Sequence, residues 1–396
     1  MKILIATDCY IFNLGGITAS VLALCAGLRH YGHEVKVLGT SNNNKSFKDG
    51  DNYFIKSFPA FYYPGMRISF SKRDPLLREL EEWKPDIIHV QTEGTARRFS
   101  NLIMKHCHAP IVMTCHTDYG HFLFGKAKNF PPIKALTSLI GSVLYRNAKK
   151  IIAPSQKAAE FPFLHMVRNR ITVIPNGMEL EKYRKQFSSQ ERHNFRMSIG
   201  INDNTKVLVS ISRLSKEKNI RELISFLPKL QEQFKDVKLL IVGDGPDKKH
   251  LENMAKELNL TDSIIFTGRI PSNDVWQYYA AGDIFVSGST FEVHSMSYLE
   301  ALADGLPLLC REDKALIGVL EHAKNGFIYH SQEEYIDFAY RLLSDDELRN
   351  NMANCSYKKA EEFSSEAFAS SMLKVYNDVI NKTQNNNRIN LIHFYN

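Results

Sequence analysis

No stretch of this chain approaches the ~18 uninterrupted apolar residues that a membrane-crossing helix needs, so the sequence does not read as an integral membrane protein. The opening MKILIATDCY has neither a long apolar core nor a small-residue cleavage site, and a cytoplasmic protein is expected. The six cysteines (Cys9, Cys25, Cys107, Cys115, Cys310, Cys355) show no C-x-x-C spacing, and several sit in apolar runs. They read as reduced and structural rather than as a disulfide framework. His106-Cys107-His108 is the one metal-like cluster, but three consecutive side chains point in different directions, so no metal site is expected. There is no repeat period and no G-x-G-x-x-G, and no acid ends the strand-like KVLGT, which argues against a dinucleotide-binding unit. Basic residues interleaved with exposed aromatics in a nucleic-acid-binding module are missing too.

What is present is a long series of short apolar runs. At 396 residues and 44% hydrophobic, the chain can bury two cores of ordinary size. KILIATD, a turn at NLGGIT, the helical pattern ASVLALCAGLRHYGH and EVKVLGT make a βαβ unit, hence a parallel sheet covered by helices. PDIIHV, APIVMTCHT, KKIIAPS and ITVIPNG continue it. After Tyr183 a second series follows, VLVSISR, VKLLIVGDG, SIIFTGRI, DIFVSGST, LPLLCRE and FIYH, again separated by helices. Two successive doubly wound α/β domains fit this layout, joined near Gly177 to Tyr183. The closing helix SSEAFASSMLKVYNDVINK gives way to a polar run, so a mobile tail is expected beyond Thr383.

The charge is uneven. Residues 96–150 hold nine basic side chains (Arg97, Arg98, Lys105, Lys126, Lys128, Lys134, Arg146, Lys149, Lys150) against one acid, Asp118, in a chain of net charge +7. So local an excess suggests an anionic surface as partner. Within it, PPIKALTSLIGSVLYRNAKK places Ile133, Leu136, Leu139, Ile140, Val143 and Leu144 at helical spacing before a basic end. This is the pattern of an interfacial helix, and equally of an amphipathic helix packed on a sheet with its basic end solvated.

In open parallel sheets, ligands bind beyond the carboxyl ends of the strands. After the first strand, Gly15-Gly16 at a helix start would let backbone amides approach a phosphate or sugar, or would serve a tight turn of positive φ. Arg213 and Lys218 follow VLVSIS and could grip a diphosphate. Gly243-Asp244-Gly245-Pro246 and Thr267-Gly268-Arg269 follow the next two strands, where glycines permit close approach of a ligand and backbone groups could meet a planar base. After DIFVSGS, the amides of His294, Ser295, Met296 and Ser297 at a helix start suit a phosphate. Glu292 and Glu300 flank that start and could bind sugar and ribose hydroxyls, or could cap and solvate the helix. His116, after APIVMTC, sits at the edge of the first sheet in a structural or a chemical role.

Together these stretches resemble family 4 of the retaining glycosyltransferases. The E-x7-E signature is Glu292 and Glu300, ending EALADGLP, and GGIT, HTDY, APSQKAAE, VIPNGMELEKY, SRLSKEKN, IVGDGP, IIFTGRI and NGFIY occur in the family's order. The resemblance implies the GT-B fold, two facing Rossmann-like doubly wound domains with the active site in the cleft and a C-terminal helix returning to the first domain. Residues 1–178 would bind the acceptor, 179–361 the nucleotide sugar, and 362–396 would form the returning helix and a flexible tail. Catalytic roles are implied for His116, Glu292, Arg213 and Lys218. Donor contacts are implied for Gly16, Arg213, Lys218, Gly243, Gly268, Arg269, Glu292, His294 to Ser297 and Glu300, with no metal or other cofactor. Within the family, PDIIHVQTEG, HTDYGHF, GDGPDKKHLE and FPAFYYPGMRIS are similar to bacterial diacylglycerol glucosyltransferases. The expected activity is therefore retaining transfer of a hexose, glucose from a UDP-sugar, to a membrane lipid, by a peripheral protein at the inner face of the cell membrane. Docking would use segment 96–150. A polysaccharide or lipid-linked glycan acceptor, or a non-catalytic partner of the same fold, are the competing readings. One departure stands out: where members commonly carry glycine, this chain has Ser295.

Overall fold

Aliphatic and β-branched runs buried on both faces are what parallel sheets require, and each run quoted above holds a strand in the computed structural model, down to the short, half-exposed Ile171–Val173 at the sheet edge. The structure describes residues 1–10, 15–59, 67–125, 130–185 and 187–394. The chain divides into one unit of Met1–Met178 with Ser364–Asn396 and a second of Glu179–Phe363.

The first unit contains β1 (Lys2–Ala6), β2 (Glu34–Thr40), β3 (Phe47–Asp49), β4 (Asn52–Ile55), β5 (Phe58–Pro59), β6 (Arg67–Ile68), β7 (Ile87–Val90), β8 (Ile111–Thr114), β9 (Ala148–Ala153) and β10 (Ile171–Val173). Eight of these pair in the order β10-β9-β8-β7-β1-β2-β4-β3, parallel except for β3, while β5 and β6 form a separate hairpin. Its first six helices are α1 (Gly16–His30), α2 (Pro75–Trp83), α3 (Thr95–Cys107), α4 (Tyr119–Phe124), α5 (Pro131–Leu144) and α6 (Gln156–Ala159). The run NAKK, expected as the basic end of α5, instead opens β9, because Lys149 and Lys150 are followed by the buried Ile151 and Ile152.

The second unit holds β11 (Lys206–Ile211), β12 (Val237–Val242), β13 (Ile264–Gly268), β14 (Ile284–Ser287), β15 (Leu308–Arg311) and β16 (Gly326–Tyr329), ordered β13-β12-β11-β14-β15-β16 and all parallel. Around them lie α7 (Ser189–Ser198), α8 (Ile220–Gln233), α9 (Lys248–Glu257), α10 (Trp276–Ala281), α11 (Met296–Asp304), α12 (Gln332–Ser344) and α13 (Asp346–Lys359).

The last helix, α14 (Ser365–Phe394), belongs to the first unit. Phe368, Met372, Tyr376 and Val379 recur at helical spacing and join Val21, Leu24, Cys25 and Leu28 of α1 in one buried cluster. Instead of giving way to a tail at Thr383, the backbone stays helical to Phe394. Once the packed turns exist, each further residue adds a hydrogen bond without a new nucleus.

Gly27 sets how close α1 and α14 come. A Cβ there would lie 2.0 Å from the Ser365 carbonyl oxygen and 2.7 Å from the Ala369 Cβ. Overpacking of this kind costs about 1–3 kcal/mol, so Gly27→Ala should lower the urea unfolding midpoint of the first unit accordingly. An unchanged midpoint would show that the two helices part freely.

Candidate active site

In the second sheet, β11 and β14 are neighbours although β12 and β13 intervene in sequence, so the strand order reverses between them. Loops leaving such a pair diverge and open a crevice at the carboxyl edge. Arg213 to Lys218 leave β11, and Glu292 to Ser297 leave β14, so the two expected groups meet at this point. The Glu217 carbonyl holds the two loops together, accepting from the Thr290 backbone N–H at 2.9 Å and from the Thr290 hydroxyl at 3.2 Å. A 3-10 turn at Lys216–Lys218 ends in Asn219, with φ of 50°, before α8 begins.

This stitching brings Lys218 against Glu292, Nζ to Oε1 at 2.6 Å. The sequence assigned these residues to different parts of a ligand, yet each is the other's counterion here. Glu292 is buried, and a buried carboxylate is tolerated only when paired. Arg213 is exposed and makes no ion pair among the described residues.

The Ser295 residue is the N-cap of α11, yet it makes no side-chain cap hydrogen bond. Its Oγ lies 3.0 Å from Ser297 Oγ, leaving the first-turn N–H groups without a side-chain acceptor. Its φ of −78° is one any residue adopts, so a glycine is not needed here for conformation. His294 is buried, with neither ring nitrogen hydrogen-bonded among the described residues, and its ring centroid is 6.0 Å from that of Phe363. Burial alone drives its pKa down from 6.5 to about 4, so it is neutral.

Glu300, in the second turn of α11, accepts from Tyr183 Oη on Oε1 at 2.8 Å and from Tyr279 Oη on Oε2 at 2.7 Å. Burial raises its pKa, and the two hydroxyls offset part of that rise. Each oxygen keeps a lone pair for a further donor.

The glycines divide. Gly243 has φ of 139°, its Cβ would fall 1.9 Å from the Ser212 carbonyl oxygen, and its N–H is taken by Gly268 O at 2.9 Å. Its φ and the nearby Ser212 backbone both require a glycine at 243, the position expected to contact the donor. Gly268, with φ of 73°, is beside the Lys248 ammonium, 3.6 Å from its would-be Cβ. Thr267 Oγ1 donates to Gly268 O at 3.0 Å, and Arg269 is exposed.

In the first unit the strand order reverses between β1 and β7. Asp8, after β1, accepts from Thr92 Oγ1 at 2.8 Å and from the Ala96 N–H at 2.9 Å, and desolvation still lifts its pKa to about 6. Gly16 opens α1 after an extended Gly15 of φ −175°, so no left-handed turn explains that pair, and a Cβ on Gly15 would meet nothing within 4 Å among the described residues. Asn13 and Leu14 lie outside the described residues, as do Lys126 and Lys128 and residues 60–66 of the FPAFYYPGMRIS run. His116 Nε2 is 2.8 Å from Gln91 Oε1, and Gln91 Nε2 is 3.2 Å from the ring of buried His89, itself bound to Tyr376 and Thr114 hydroxyls. Gln91 and Glu93 escaped the sequence reading, although both stand just after the β7 run, where the strand-exit rule points. Glu93 is buried and accepts from the Tyr119 and Tyr145 hydroxyls.

Two parallel-sheet α/β units of this layout are shared with solved glycosyltransferases of the GT-B fold. Anabaena HepE in complex with UDP-glucose superposes with a TM-score of 0.73 at 19% identity, covering 96% of this chain and 100% of that one. WaaG, a glycosyltransferase involved in lipopolysaccharide biosynthesis, gives 0.66 at 17%, covering 95% and 99%. The model described as Glycosyltransferase Family 4 matches residues 14–182 and that of Glycosyl transferases group 1 matches 191–359. The chain belongs to glycosyltransferase family 4. It is 29% identical over 384 residues to the alpha-monoglucosyldiacylglycerol synthase of Streptococcus pneumoniae, covering 96% of this chain and 86% of that one. To the enzyme of the same name from Acholeplasma laidlawii it is 27% identical, covering 98% and 100%.

The buried neutral His294 ties stability to pH. Its folded pKa, about 4, lies below its unfolded value of 6.5, so the unfolded chain takes up the proton first as pH falls. The stability of the second unit is then complete above pH 6.5 and declines towards pH 4, by on the order of 3 kcal/mol for this group. His294→Phe should flatten that decline relative to wild type in urea unfolding followed across this range. Parallel curves for the two proteins would refute it.

Proposed function

We propose that this glycosyltransferase moves glucose from UDP-glucose to the free hydroxyl of diacylglycerol, with retention of anomeric configuration and without a metal bridging the diphosphate. The carrying observation is the pairing, at one strand reversal, of the Arg213 to Lys218 cations with the uncapped start of α11. These can neutralise a leaving diphosphate, the task a divalent ion performs in other enzymes. Glu300 would take ribose hydroxyls on its remaining lone pairs, Glu292 the transferred sugar, and Thr267, Gly268 and Arg269 the base. Gly16 would face donor and acceptor, and His116 the sugar, its ring held by Gln91. The incoming hydroxyl would attack from the face that the nucleotide leaves. Support for donor and acceptor comes from relatives: HepE is seen with UDP-glucose, and two similar enzymes are monoglucosyldiacylglycerol synthases. No described helix is long and apolar enough to cross a membrane, and peripheral attachment at the inner face of the cell membrane through basic segment 96–150 fits a lipid acceptor.

A panel of nucleotide sugars against diacylglycerol, glycolipids and free sugars, read by mass and by the anomeric proton signal, tests this. The expected product is an α-glucosyl lipid, formed at the same rate with a chelator present. Arg213→Ala should cut turnover about 10²–10³-fold, as loss of one charge-stabilising donor does elsewhere. Glu300→Ala should raise KM for the donor. Transfer to soluble sugars only would refute the acceptor, a chelator-sensitive rate the metal-free mechanism, and no transfer to anything the enzyme itself.

A further inference from the structure

Helix α9 begins with a lysine, against the ordinary preference of a helix start. Free N–H groups and the helix dipole favour acids there, yet Lys248 is the first residue and no acid accompanies it in the first turn. Its side chain is only 31% exposed, and its ammonium makes no hydrogen bond among the described residues. The carboxylate it pairs with, Glu252 one turn on, stands 3.9 Å away, against 2.6 Å for Lys218 and Glu292. The other polar groups of this strand exit are already engaged. Asp247 binds Arg221 through both oxygens, at 2.7 and 3.2 Å, and Asp244 Oδ1 accepts from the Gly245 N–H at 2.7 Å. The Gly268 carbonyl accepts from the Gly243 N–H and from Thr267 Oγ1, which uses both of its lone pairs. Lys248 is left with three donors for a group that the described residues do not supply.

The strand order tells which part of a nucleotide reaches it. Along its carboxyl edge the second sheet runs β13, β12, β11, β14. The cations after β11 and the uncapped helix start after β14 suit the diphosphate, and Glu300 on α11 suits the ribose. Lys248 follows β12, and Gly268, whose would-be Cβ lies 3.6 Å from Nζ, ends β13. These two exits lie one and two strands beyond β11, on the side away from β14, at ~4.8 Å per strand. A nucleotide extended along this edge from its diphosphate places its base there. The start of α9 is fixed in position, because the Leu214 N–H donates to Asp244 O and the Asp247 N–H to Leu214 O, each at 3.0 Å. Lys248 is thereby tied to the loop that carries Arg213.

An ammonium offers donors and no acceptor. Bases differ in what they set on the edge furthest from the sugar: uracil and guanine carry a carbonyl oxygen there, cytosine and adenine an amino group. We infer that Lys248 selects the base of the nucleotide sugar, its ammonium donating to that carbonyl oxygen and turning away bases with an amino group in its place. This deepens the donor reading put forward above, and rests on it for where the diphosphate lies. It also accounts for a cation kept at a helix start, where an acid would serve the helix better. Gly268, a glycine that φ of 73° already calls for, has no side chain to cover the ammonium.

The test is calorimetric binding of UDP, CDP, GDP and ADP to the full chain at one fixed ionic strength, since salt screens every cation contact. Wild type should bind UDP about tenfold more tightly than CDP, the worth of one charge-assisted hydrogen bond. Lys248→Met keeps the apolar stem and removes the charge. It should weaken UDP about tenfold and leave CDP and ADP unchanged. Lys248→Glu, an acceptor where the donor was, should prefer CDP to UDP. With UDP-glucose as substrate, Lys248→Met should raise KM and leave kcat at the wild-type value. Its thermal midpoint should not fall, because a cation has been taken from a helix start. The inference is overturned if Lys248→Met weakens all four nucleotides equally, the mark of a phosphate or ribose contact, or weakens none. Either result, with UDP still preferred by wild type, would leave the donor assignment standing. Wild-type preference for GDP over UDP, lost in Lys248→Met, would sink the donor assignment and keep the lysine as the reader of the base. Wild-type preference for CDP or ADP would sink both.

Discussion

Parallel strand pairing is the constraint on which everything else here depends. It sends every chemistry-bearing loop to the carboxyl edge of its sheet, and the strand order then selects which two loops meet. In the second unit the Leu208 and Ile284 register sets β11 beside β14, so a loop ending in Lys218 and a loop holding Glu292 can share the Glu217 carbonyl although 74 residues separate their charged partners. In the first unit the same reversal joins Asp8 after β1 to Thr92 after β7, 84 residues on. Both follow from which strands are adjacent.

The acids at these exits are handled in two ways with different consequences. Glu292 is neutralised by Lys218, a pairing that a diphosphate could compete for, since an ammonium can serve phosphate and carboxylate together. Glu300 and Glu93 are each held by two tyrosine hydroxyls, which satisfy the carboxylate without cancelling its charge. A carboxylate so held stays available to further hydroxyl donors and keeps its position without them. That is the behaviour wanted of a group that reads ribose, and in Glu93 of a group that anchors a helix pair.

The strands were legible because a run such as VKLLIV, buried on both faces, has one stable placement. Three things were not. The partners of the buried polar groups lie far off in sequence, Tyr183 117 residues from Glu300 and Tyr376 287 residues from His89, so no local pattern signals them. Glycines do not say what they make room for: Gly243 accommodates the Ser212 backbone, which its place in Gly-Asp-Gly does not signal. Periodicity reports a stripe but not which way it faces. In α5 the small Thr137, Ser138 and Gly141 win the inside because Gly141 lets the helix backbone meet that of Phe163, a closeness the leucines would forbid. The short β4 strand, NYFI, was overlooked between polar stretches, yet its Tyr53, Phe54 and Ile55 are wholly buried.

The departure at Ser295 is the point where local rules and site chemistry pull apart. Serine is among the best N-cap residues because its hydroxyl accepts from the free amides of the first turn. Here it does not, and the hydroxyl turns to Ser297 instead. A capping serine would have met the free amides at the start of α11 with its own oxygen. The Ser295–Ser297 pair keeps that end open while allowing a side chain where the family usually has none. The neighbouring His294, buried and neutral, adds no charge there, and Lys218 is already paired with Glu292, so the positive character of this helix start rests on the α11 backbone.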